Sequence, residues 1–104
     1  MLFRSCDMDS SWSLFGPDLD YELAMKPSEY YKSRCYAVTF DEELLKYGVE
    51  FLGDDHLVFS TDYPHHDAPF PNGVKWLLEH DDISEQAKRR ILWDNGAELF
   101  GLKD

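Results

Sequence analysis

Arg34-Cys35-Tyr36-Ala37-Val38-Thr39-Phe40 and His56-Leu57-Val58-Phe59-Ser60 decide the fold. Both stretches are short, apolar at the centre and rich in β-branched or aromatic residues, so both read as strands. The first does not alternate cleanly. Near-continuous apolarity predicts a strand buried on both faces, as in parallel sheets. Between the two, Leu44, Leu45, Val49 and Leu52 fall on one helical face, with Asp41 placed to cap that helix and Gly53 to end it. Strand, crossover helix and strand make a βαβ unit, so the strands should run parallel. Two parallel strands leave both outer edges unpaired, so the pattern reads as a slice of a larger sheet or barrel.

On the N-terminal side, Lys26-Pro27-Ser28-Glu29-Tyr30-Tyr31 marks the start of a short helix, because Pro27 suits a first turn. Residues 1–25 read as an irregular lead-in. Ser10-Ser11-Trp12-Ser13, Gly16-Pro17 and scattered aspartates are loop-like, with a helical turn or two over 19–25. On the C-terminal side, a loop with Pro69 and Pro71 leads to an amphipathic helix over 73–79, with Val74, Leu77 and Leu78 facing inward. Ser84 caps a further helix carrying Ala87, Ile91 and Leu92. Asn95-Gly96 is expected to end it, before a last short turn over 97–102 with Leu99 and Phe100 as packing residues. Trp12, Trp76 and Trp93 also read as packing residues. The chain is thus expected to be α/β, one partial domain over 1–104, with the βαβ unit and C-terminal helices in 26–104.

Composition narrows the function. The 104 residues are 43% hydrophobic and carry a net charge of −11. That is apolar enough for a packed core. Acidic residues are spread along the chain, and no basic cluster exceeds Lys88-Arg89-Arg90, so nucleic acid and anionic membrane surfaces would be repelled. Cys6 and Cys35 stand in no metal or redox spacing, which fits free thiols and a cytoplasmic location. Cys6 has no base beside it. Asp7-Met8-Asp9 and Asp18-Leu19-Asp20 lack the glycine and closing glutamate of a calcium loop, and read as solvated.

The chemistry gathers at one place. Functional groups of α/β folds sit at the C-terminal ends of parallel strands. The second strand ends in Ser60-Thr61-Asp62-Tyr63-Pro64-His65-His66-Asp67. A strand-end carboxylate such as Asp62 can ligate a divalent metal and exchange a proton with metal-bound water. It can equally cap backbone amides in the turn before Pro64. Adjacent histidines point in different directions, so His65 and His66 are read as facing substrate rather than as a ligand pair. Asp67 reads as a turn residue.

Five short motifs now fall in order: Lys26-Pro27-Ser28-Glu29-Tyr30-Tyr31, Val38-Thr39-Phe40, Gly53-Asp54-Asp55-His56-Leu57, Ser60 to His65, and Ile91-Leu92-Trp93-Asp94-Asn95-Gly96-Ala97. Together they resemble the end of amidohydrolase family 2, which includes hydrolases and aminocarboxymuconate-semialdehyde decarboxylase-like enzymes. The resemblance runs from about Lys26 to Leu102. It implies strands seven and eight of a (β/α)8 barrel. Asp62 then corresponds to the aspartate that binds the metal, usually zinc, and serves in proton transfer. Tyr63, His65 and His66 would line the pocket mouth. Gly96 stands where many relatives have alanine.

The family's histidine ligands belong to earlier strands, and neither His56 nor His80 can replace them. One carboxylate holds a divalent ion weakly, so this polypeptide alone is expected to be inert. Three origins remain open: a truncated product, a subunit completed by another chain, and a non-catalytic remnant that self-associates through sheet edges. A small-molecule substrate is implied for the complete enzyme.

Overall fold

The computed structural model describes residues 2–39 and 44–102, with side chains from residue 7 onward. The chain divides into two compact units, Met1–Cys35 and Tyr36–Asp104.

The second unit holds the βαβ element. β1 (Ala37–Thr39) and β2 (Leu57–Phe59) pair in parallel, with Ala37 opposite Leu57, Val38 opposite Val58 and Thr39 opposite Phe59. Ala37 N–H donates to the His56 carbonyl and Ser60 N–H to the Thr39 carbonyl, each at 2.8 Å, so pairing extends to both ends of β2. The crossover helix α3 (Leu45–Leu52) buries Leu45 and Leu52 and ends at Gly53, whose φ of 84° suits glycine. Asp41, the expected cap of that helix, and Phe40 lie outside the described residues. So does the side chain of Cys6.

β1 is buried on one face and not on both. Ala37 and Thr39 are enclosed while Val38 is 52% exposed. Among the described residues the sheet has two strands, with β2 packed on the later helical segment 90–99. Among the described residues of this unit, no layer covers Val38 on the opposite face. The same shortfall corrects α4 (Gly73–Glu79). It has the expected bounds, but only the Gly73–Leu77 row is buried, and Val74 and Leu78 are exposed. Trp76 and Trp93, expected in the core, are exposed too, as are Leu99 and Phe100.

The last helix also differs from expectation. Ser84 caps α5 (Glu85–Arg89) by accepting the Ala87 N–H at 3.1 Å, as its position predicts. Asn95-Gly96 does not end the helix. A π-helical turn, Arg90–Asp94, leads directly into α6 (Asn95–Leu99). The wider π turn brings residues five apart onto one side. Arg89 accordingly reaches the Asp94 carboxylate at 3.2 Å. Arg90 pairs with the Asp54 carboxylate, and Asn95 Nδ2 donates to the carbonyls of Asp54 and Leu57, each at 2.7 Å. Asn95 is buried, and these bonds pin the start of β2. Lys88 is buried as well. Its Nζ donates to the Leu78 carbonyl near the end of α4 and to Glu85, both at 2.8 Å.

The first unit corrects the lead-in. Residues 2–15 form a 14-residue helix, α1, where loop was expected. It is followed by a 3-10 turn, Gly16–Asp18, and by α2 (Pro27–Arg34). α1 lacks an apolar stripe, and its Ser and Asp residues favour caps and turns, so nothing local announces it. It packs on α2. Asp9 is not merely solvated: its Oδ1 accepts the Ser28 N–H at 2.8 Å and its Oδ2 accepts the Ser28 hydroxyl at 2.6 Å. Ser28 lies in the first turn of α2, so α1 caps its neighbour. The Trp12 ring lies 5.8 Å from Tyr21 and so close to Gly16 that a Cβ there would sit 2.9 Å from it.

Candidate functional site

β2 delivers the site. Its ladder with β1 runs through Ser60, and the chain then turns. Asp62 is half-buried just past the strand end, with φ at 53°, the left-handed value among the described non-glycine residues. Asp and Asn occupy that region more readily than other side chains. Two hydrogen bonds hold it there. Asp62 N–H donates to Ser60 Oγ at 3.1 Å, and the Asp62 carbonyl accepts the His65 N–H at 3.0 Å. The carboxylate makes neither of these bonds, so the backbone is fixed without using it.

The rest of the cluster is open. Tyr63 is exposed, and its ring rests against Phe70 at 4.7 Å between centroids. His65 and His66 are exposed in the same loop. Ala68 N–H donates to the His65 carbonyl at 3.1 Å, which puts Asp67 inside a tight turn as its sequence suggests. Gly73 closes the loop: a Cβ there would lie 3.0 Å from Phe59 and 3.1 Å from Pro69. A side chain there would make Phe59 or Pro69 give way by a few tenths of an ångström.

His56 and His80 stay outside this cluster. His56 Nδ1 lies 3.1 Å from Asp55 Oδ1. His80 Nδ1 faces Asp82 Oδ1 at 3.2 Å. Among the described residues, no group of three or more His, Cys, Asp or Glu side chains could hold a metal ion. A catalytic zinc ordinarily takes about three protein ligands. At the end of β2 the described residues offer one carboxylate.

The sequence profile of the amidohydrolase family matches residues 18–102. The chain belongs to that family. Members of the family are generally metal-dependent. The match of this amidohydrolase chain to solved structures includes 5-carboxyvanillate decarboxylase from Sphingomonas paucimobilis, at 28% identity and a TM-score of 0.75. That alignment covers 98% of this chain and 30% of the decarboxylase, so the amidohydrolase chain spans under a third of its solved relative. Among curated proteins it matches none. The family and the solved relative fit a mixed α/β fragment of a TIM barrel. Among the described residues, no helix is long and apolar enough to cross a membrane.

The sequence places Asp62 in the loop that follows the second strand, where the structure has it. It did not separate Ser60 from the strand it ends, although a hydroxyl two residues before a strand-end Asp is a recognisable backbone-capping arrangement. Asn95-Gly96 reads as a helix stop in sequence, whereas Asn95 is buried inside a continuing helix and bonded to the Leu57 carbonyl.

Proposed function

We propose that these residues form strands seven and eight of a (β/α)8 metal-dependent amidohydrolase, with β1 as the seventh and β2 as the eighth. The complete enzyme acts on a small organic substrate by hydrolysis or decarboxylation. Asp62 contributes a carboxylate to a divalent metal centre, zinc in this reading, and serves in proton transfer. Tyr63, His65 and His66 line the pocket mouth. The observation that carries the reading is the placement of Asp62 at the C-terminal end of a parallel strand, its backbone held and its carboxylate left available. The decarboxylase likeness supports a carbon–carbon lyase as readily as a hydrolase.

The chain by itself is inert in this proposal, because its described residues supply one ligand. Exposed Val38 beside an unpaired sheet edge favours a second component: a complementing barrel segment or another copy of the chain. Zinc titration of the isolated chain should give no saturable binding at micromolar concentration. In a polypeptide carrying these residues within a whole barrel, Asp62→Asn should weaken zinc binding by at least about tenfold, since losing even an outer-shell partner of a ligand costs about 10–100-fold. Zinc bound equally well by that variant would overturn the role given to Asp62.

A further inference from the structure

We propose that Ser60 is the positioning residue for Asp62, holding its backbone in the left-handed region so that the carboxylate projects from the strand end. The proposal rests on the reading of Asp62 given above. Ser60 is anchored first: its N–H donates to the Thr39 carbonyl at 2.8 Å, which makes it the last residue tied to the sheet. Its side chain then reaches forward, and Oγ accepts the Asp62 N–H at 3.1 Å.

Asp62 has a φ of 53°, a conformation uncommon for L residues that Asp adopts more readily than most and that costs free energy to hold. On its C-terminal side the His65 N–H holds the Asp62 carbonyl at 3.0 Å. On its N-terminal side the Ser60 hydroxyl holds the amide. Register in the β1–β2 ladder is thereby passed to the carboxylate through one side-chain oxygen. Half-burial of Ser60 and Asp62 limits competition from water for that bond. Loss of the hydroxyl leaves the Asp62 carboxylate chemically intact but frees its φ to return to the ordinary negative range.

The test is amide hydrogen exchange and the amide–Hα coupling of Asp62, measured by NMR on the full chain. Wild type should protect the Asp62 amide by roughly tenfold over a free amide, the scale of one part-buried hydrogen bond. Ser60→Ala should abolish that protection and change the coupling, while the Ser60 N–H, bound to Thr39, stays protected and shows the sheet intact. Ser60→Thr should restore both readings, which a merely structural packing effect would not do. Equal Asp62 exchange in wild type and Ser60→Ala overturns the proposal. If Ser60→Ala does not fold, wild type decides: an Asp62 amide exchanging at the free rate overturns it. None of these readings involves metal. A zinc site indifferent to Asp62 would therefore defeat the proposed function and leave the Ser60 bond standing.

Discussion

Asp9 caps a helix to which it does not belong. Its two carboxylate oxygens take the amide and hydroxyl of Ser28, and these two bonds, the side-chain one foremost, hold its carboxyl below the ordinary carboxylate value of 3.8. The sign follows from linkage. A carboxyl whose folded pKa is depressed stabilises the folded state fully above its unfolded pKa and loses that contribution as pH falls through the folded value. The α1–α2 unit should therefore loosen below about pH 4. Asp9→Asn should flatten that dependence. Helical signals of residues 2–34, followed by NMR across an acid titration, check this; identical acid profiles for wild type and Asp9→Asn would refute it. Asp62 presents the opposite arrangement at the same scale. There the backbone is held by others and neither bond uses the carboxylate.

Elements were legible where their burial pattern is local. β1, β2, α3 and the Gly53 stop are present as the sequence predicts, but Leu44 of the expected α3 face is 63% exposed and Val38 at the centre of β1 is half-exposed. α1 was not legible, because its order comes from packing on α2 rather than from an apolar stripe. The Asn95-Gly96 pair misled for a different reason. It is a strong turn signal, yet a π turn rotates Asn95 onto β2, where its amide satisfies two carbonyls and makes continuation worthwhile. Gly96 is left inside a helix with open space around its Cα. Gly96→Ala should therefore stabilise the chain by about 0.5–1 kcal/mol, the ordinary helix-interior difference. Gly73→Ala should act oppositely, because its Cβ would press on Phe59 and Pro69. Urea unfolding of both variants compares the signs directly. A stabilising Gly73→Ala would mean that the approach of α4 to β2 is looser than 3.0 Å implies.

At the scale of the whole molecule, the exposed apolar residues of the second unit have one common cause. Val38 is 52% exposed, Trp93 53% and Phe100 76%, each at a position whose sequence pattern called for burial. Sequence periodicity reports which residues seek cover and not which chain supplies it. A solved relative more than three times as long contains the matching segment as 30% of its chain, so the surplus apolar surface fits a piece of a larger barrel better than a finished surface. The isolated chain should then associate. Parallel edges with an apolar face pair with whatever matches them, and in pure solution that is another copy. Light scattering and sedimentation should report a dimer or larger species at high micromolar concentration, unchanged by a chelator, because the described residues hold no metal cluster. Val38→Lys places a charge on the uncovered face and should shift the population toward monomer, since burying an unpaired ammonium is strongly opposed. Its effect on the monomer's own stability should be small, because Val38 is already half in water. A chain that sediments as a monomer at every concentration, or an assembly that ignores Val38→Lys, would mean that the uncovered side of β1 is not where this molecule seeks its partner.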